Sequence, residues 1–202
     1  MRAFPSATTQ SRHERLRHAT RTAHARLESA LNLLAAPIAS DRIVCLLERF
    51  HGFHASWEPA LKGLVPDELL APRLKLALLR QDLRSLGVGD RRLRALPDCH
   101  AAAGLCATEA DAAGALYVME GSTLGGRIIS RSLQESPWLG RRRLQYWNPY
   151  GEDTGKRWSE TLAYLESLPS SGSDAIIRSA IATFDVLHAW LLPELPLRGQ
   201  PS

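Results

Sequence analysis

Four residues that could do chemistry share one edge of the first amphipathic stretch of this 202-residue chain. Arg17, Arg21, His24 and Glu28 recur at steps of four, three and four, which places them along one flank of a helix. A neutral imidazole is a metal ligand, and the partner of its other ring nitrogen sets its orientation. Glu28, one turn on, can supply that partner directly or through water. The two arginines can hold carboxylates attached to the same ligand. The plain alternative is a solvated flank, with His24 and Glu28 as a surface pair worth about 0.2–0.5 kcal/mol.

A second stretch, GALYVMEGSTLGGRIISRSL at residues 114–133, reads as a helix in spite of Gly114, Gly121, Gly125 and Gly126. Each glycine inside a helix costs ~1 kcal/mol relative to alanine. Gly114, Val118, Gly121 and Gly125 fall on one face, with Ser122 and Gly126 beside them. The result is a bare groove carrying a single hydroxyl. It admits either a flat ligand or the backbone of another helix, and spacing leaves both open. Taken together, the two stretches suggest a sandwich: an imidazole helix, a glycine helix, and a flat metal complex with acidic arms between them.

At these residues the chain resembles the bacterial heme oxygenases, in particular the biliverdin-producing branch found beside bacteriophytochromes. The resemblance rests on LRHATRTAHARLE followed by LYVMEGSTLGGRIIS, and it extends over roughly residues 12–192. It implies an all-α, single-domain bundle that holds heme b between the first helix and the glycine-rich distal helix. It implies His24 as the proximal iron ligand, Glu28 as the carboxylate polarising it, and Arg17 and Arg21 near the propionates. Gly121 and Gly125 would lie over the distal heme face with Ser122 between them. Tyr117, Lys156 and Phe184 would be further heme contacts, Lys156 as a propionate partner and Phe184 as a heme-edge aromatic.

The implied activity is oxidative cleavage of heme to biliverdin, CO and ferrous iron. It uses O2 and electrons from an external donor, a ferredoxin or a flavodoxin-type reductase, because no G-x-G-x-x-G loop is present. A bacteriophytochrome is the implied recipient of the biliverdin. Ser122 stands where the animal members carry an aspartate that organises distal water, and the bacterial branch shares the serine. A serine organises water less well than a carboxylate, so another group or a water chain must supply the proton. A carrier or sensor that keeps heme without cleaving it would share His24 and the groove. A thiaminase-like helical enzyme would instead need a cysteine and a carboxylate, for which Cys45 and Glu48 are the candidates.

The elements that must position these residues follow from apolar periodicity. Helical patterns run from Ser11 to about Leu34, over 41–63, from Pro66-Asp67 through about Leu79 and on to Gly87, from Thr108 to about Gln134, over 155–168 and over 174–191. Pro37 ends the first, and Ser40-Asp41 caps the second. Residues 90–107 are turn-rich and residues 135–154 loop-like. No period-2 strand appears. We expect a disordered segment at 1–10, one domain over 11–192 and a tail at 193–202.

Bulk properties exclude several classes. A net charge of +4 and a pI near 9.2 suit an anionic partner. The only dense basic runs, at 91–94 and 141–143, read as solvated faces, so no nucleic-acid partner is expected. Three cysteines without paired spacing fit a reducing compartment. Neither a secretory h-region nor a run of 18 apolar residues occurs, so the expectation is a cytoplasmic protein without a membrane span. His51 and His54, three residues apart with no third ligand near, read as a helix-surface pair rather than a metal site. Cys99 and Cys106 read as inert.

Overall fold

The Ser11 hydroxyl accepts the Glu14 N–H while the Glu14 carboxylate accepts the Ser11 N–H. This capping box starts the first helix, α1 (Arg12–Leu31). Asn32 ends it in the left-handed conformation (φ 45°), its N–H bonded to the Glu28 carbonyl. Leu16, Leu27 and Leu31 form its buried stripe, which leaves the flank carrying Arg17, Arg21, His24 and Glu28 exposed. The coordinates are a computed structural model that describes residues 10–34 and 38–193. The segments expected to be disordered (1–10) or a tail (193–202), apart from residues 10 and 193, and the helix-ending Pro37 lie outside the described residues.

The second helix, α2 (Ser40–Ala60), follows with Ala39 rather than Ser40 at its N-cap. Ser40 and Asp41 are therefore first-turn residues, and Asp41 there suits the positive end of the helix dipole. The third expected helix is broken. It divides into α3 (Asp67–Leu70), a 3-10 turn over Ala71–Arg73, and α4 (Leu76–Ser85). Pro72 has no N–H to continue the ladder. Arg73 and Lys75 are then free to turn inward, where both are buried.

The turn-rich segment holds two short helices, α5 (Asp90–Arg94) and α6 (His100–Ala103). The glycine-bearing helix is α7 (Glu109–Gln134), capped by the Thr108 side chain on the Asp111 N–H. Two more follow, α8 (Thr154–Ser167) and α9 (Ser173–Leu191). α7 packs along α9 and against α8, and α9 also packs along α1, so α1 and α7 are held in place through a shared neighbour. As expected, the fold is all-α; the one β-type feature among the described residues is an isolated bridge between Lys62 and Val65. Among those residues, no helix is long and apolar enough to cross a membrane.

Candidate functional site

One cavity lies between α1 and α7. It encloses about 1110 Å³, counting the open space at its mouth, and its walls are mainly apolar. From α1 it is lined by His24, Leu27, Glu28 and Leu31. From α7 it is lined by Val118, Met119, Gly121, Ser122, Gly125 and Gly126, and from α9 by Phe184 and Leu187. The expected imidazole and the expected glycines thus face the same space.

His24 is 60% exposed while lining this cavity, with its Nδ1 3.8 Å from Glu28 Oε2. The Phe184 ring meets the His24 ring edge-on, 5.6 Å between centroids. Phe184 is itself buried, so it forms a fixed backstop for an otherwise unencumbered imidazole. With Nδ1 turned toward Glu28, Nε2 is the nitrogen left to bind a ligand.

The four glycines of α7 prove unlike one another. A β-carbon at Gly114 would collide with the Ile176 carbonyl oxygen and lie 2.8 Å from Ser179 Cβ. One at Gly126 would collide with the Trp147 carbonyl oxygen. Those two glycines let neighbouring backbone approach. Gly114 therefore does not belong to the groove in which the sequence pattern placed it; α9 covers it. At Gly125 nothing lies within 4 Å of an added β-carbon, and at Gly121 the nearest atom is the Trp158 ring at 3.5 Å, an ordinary contact. Packing of the chain itself does not require a glycine at either place. The helix bears ~1 kcal/mol for each; both line the cavity, and Gly125 faces open space.

Ser122 lines the cavity too, but its hydroxyl donates to the Met119 carbonyl at 2.8 Å. Its proton is thereby engaged by the helix backbone. Arg17 and Arg21 are exposed on the His24 flank and do not line the cavity. Tyr117 does not line it either. It is buried on the α1–α8 side of α7, packed on Trp158 with ring centroids 5.5 Å apart, because it precedes Val118 and so points around the helix from it. Lys156 is exposed on α8 and away from the cavity. The lysine that does reach the cavity is Lys75, 3% exposed.

His51 and His54 are not a surface pair. Both are buried, at 5% and 0% exposure. His54 Nδ1 bonds Glu58 Oε1 at 2.8 Å, and His54 Nε2 bonds the Tyr146 hydroxyl at 3.2 Å. Glu58 Oε1 also accepts the N–H groups of Lys75 (2.6 Å) and Leu76 (2.9 Å) at the start of α4. A carboxylate so engaged makes His54 Nδ1 the donor and Nε2 the acceptor of the tyrosine proton. Burial, ahead of every other influence, lowers the His54 pKa, so the ring is held neutral. Tyr146 lines the cavity, and burial raises its phenol well above the ordinary value.

This inner polar wall escaped sequence reasoning. The signal available was the four-residue step from His54 to Glu58, identical to that from His24 to Glu28. Among the described residues, no group of three or more His, Cys, Asp and Glu could hold a metal ion, so His51 and His54 gain no third ligand in space. Cys45 and Glu48 do not line the cavity, and Glu48 pairs with Arg92 at 2.6 Å. Burial pushes the Cys106 thiol up to about 12 and raises that of Cys99, which disfavours the reactive thiolate in both.

No protein-family profile matches the chain. A protein of Xanthomonas campestris pv. campestris named heme oxygenase is 33% identical over 163 residues, covering 78% of this chain and 93% of the relative. The fold is similar to that of heme oxygenase from Leptospira interrogans, with a TM-score of 0.76 and 17% identity over 90% of this chain and 98% of that one. It is also similar to heme oxygenase-1 of the cyanobacterium Synechocystis in complex with heme (TM-score 0.74, 15% identity, 90% and 91% covered). Heme oxygenase 2 of Chlamydomonas reinhardtii without heme gives a TM-score of 0.75 at 19% identity, with 95% and 100% covered.

Proposed function

The chain belongs to the heme oxygenase family, and on that premise we propose that it binds heme as its substrate through His24 and cleaves it oxidatively to biliverdin, CO and ferrous iron. The observation that carries this reading is the cavity itself. An accessible imidazole stands on one wall, and on another stands a helix whose Gly121 and Gly125 are bare without any packing reason. The residues present fit the substrate: an apolar slot, one nitrogen ligand, and exposed cations beside it.

Bound heme would supply the iron that takes up O2 and the ring carbon that is oxidised. The remaining tasks fall to the chain. Leu27, Leu31, Val118, Phe184 and Leu187 exclude water from the macrocycle faces. Glu28 would accept from His24 Nδ1 after a small rotation of either exposed side chain, leaving Nε2 to hold the iron. Arg17 and Arg21 pair with the propionates by charge-assisted hydrogen bonds. The glycine backbone of α7 would leave room for the substrate on the wall across from His24. Electrons come from a ferredoxin or flavodoxin-type reductase. A cytoplasmic location and delivery of the pigment to a bacteriophytochrome belong to the same proposal.

The test is reconstitution with heme. We expect a Soret band that His24→Ala weakens strongly and shifts, and that decays in the native protein on addition of reductant and O2. A band that persists under those conditions would mean a heme carrier and would sink the enzymatic reading.

A further inference from the structure

A charged side chain lines the cavity, and hydrogen bonds connect it to a partly exposed tyrosine. Lys75 lines the cavity, and its ammonium donates to Glu120 Oε1 at 2.6 Å and to the Met119 carbonyl at 3.4 Å. Glu120 is 1% exposed and directly precedes Gly121. The Tyr150 hydroxyl lies 3.0 Å from each oxygen of the same carboxylate and donates to it. Tyr150 is only partly buried. A partly exposed tyrosine, a buried carboxylate and a lysine that lines the cavity therefore form one hydrogen-bonded line.

We propose that Tyr150, Glu120 and Lys75 are a proton conduit that leads to the cavity. The proposal rests on the heme-cleaving reading, which consumes protons at the cavity, and on Ser122, whose own proton is engaged by the Met119 carbonyl. The transfer balances as follows. Lys75 releases one N–H proton to an oxygen acceptor in the cavity and becomes an amine. Glu120 receives the Tyr150 hydroxyl proton and passes it to that amine. The Tyr150 oxygen regains a proton from solvent. One proton crosses and every group returns to its starting state.

The surroundings hold the stations in place. Glu58 fixes the backbone on which Lys75 sits, and His54 fixes Glu58. Arg73 Nε stands 3.4 Å from Glu120 Oε2 while its Nη2 donates to Glu160, which also pairs with Arg157. Carboxylates and cations thus alternate through the cluster and hold Glu120 between Lys75 and Arg73.

Two measurements decide the matter. In protein labelled with ¹⁵N-lysine and filled with zinc protoporphyrin, which blocks the cavity without reacting, the exchange of Lys75 ammonium protons with water is followed by NMR, with Lys75→Met assigning the signal. Tyr150→Phe should slow this exchange by about tenfold or more, the scale of a positioned proton-transfer group. A purely structural role would loosen the cluster; unchanged or faster exchange overturns the conduit. In heme-loaded protein, Tyr150→Phe should slow cleavage driven by reductant and O2 by a similar factor. Hydrogen peroxide, which carries its protons with it, should restore the native rate; equal losses by both routes overturn the proposal. Glu120→Gln, which keeps the shape of the carboxylate, should give the same pair of results. Failure of the native protein to cleave heme would reject the enzymatic reading, while the zinc protoporphyrin measurement would still judge the conduit.

Discussion

Two histidine–glutamate pairs with the same four-residue step sit on α1 and α2, and they could hardly differ more. His24 and Glu28 are 60% and 67% exposed and 3.8 Å apart. His54 and Glu58 are 0% and 8% exposed and 2.8 Å apart. The buried imidazole has a partner on each nitrogen, so it orders the interior and has nothing left for a ligand. The exposed one has a loose partner on one nitrogen and open cavity beside the other. An identical local pattern therefore serves architecture in one place and leaves an imidazole nitrogen open to a cavity in the other, and burial decides which.

The largest effect should come from exchanging the roles in this comparison. His54→Ala leaves Glu58 and the Tyr146 hydroxyl without a buried partner, and we expect it to cost about 2–4 kcal/mol in denaturant unfolding. His24→Ala, at an exposed position, should stay within about 0.5 kcal/mol of the native stability while losing the native heme spectrum. Comparable losses of stability in the two variants would erase the distinction drawn here.

The glycines of α7 offer the same contrast on one helix. Gly114→Ala drives a methyl into the α9 backbone, and overpacking of this kind costs about 1–3 kcal/mol; thermal unfolding would register it. Between these effects in size falls the response to acid. The His54 pKa is lowered from 6.5 by burial, so below that value the unfolded chain takes up a proton that the folded one refuses. Stability is complete above about pH 6.5 and declines as pH falls from there toward the folded-state pKa, by at most ~1.4 kcal/mol per pH unit for one group. His54→Gln should flatten that slope in a pH series of unfolding curves. The smallest change is a gain: Gly125→Ala meets no neighbour and should stabilise the helix by up to about 1 kcal/mol, yet weaken heme binding in a titration. A variant that binds heme as well as the native protein would show that this wall needs no bare backbone.

Much of the fold was legible because helix formation is local. The starts of α1 near Ser11 and of α7 near Thr108, the apolar stripes and the end of α7 follow from short-range spacing, and so does the shared flank of His24 and Glu28. The break at Pro72 was visible as a residue and still missed, because the apolar pattern continues across it. Tyr117 and Lys156, like Arg17 and Arg21, do not line the cavity: a resemblance assigns positions along a chain, whereas reaching a cavity depends on the direction of each side chain.

The sequence by itself determined which segments are helical and that one of them carries an imidazole and another a stretch poor in side chains, since both properties repeat within a few residues. Only the tertiary structure decided which glycines face the cavity and which admit a neighbour's backbone, and which histidine is buried. It alone brought Lys75, Glu120 and Tyr150 into line, because hydrogen bonds between residues so distant in the chain exist only once packing has brought their side chains together.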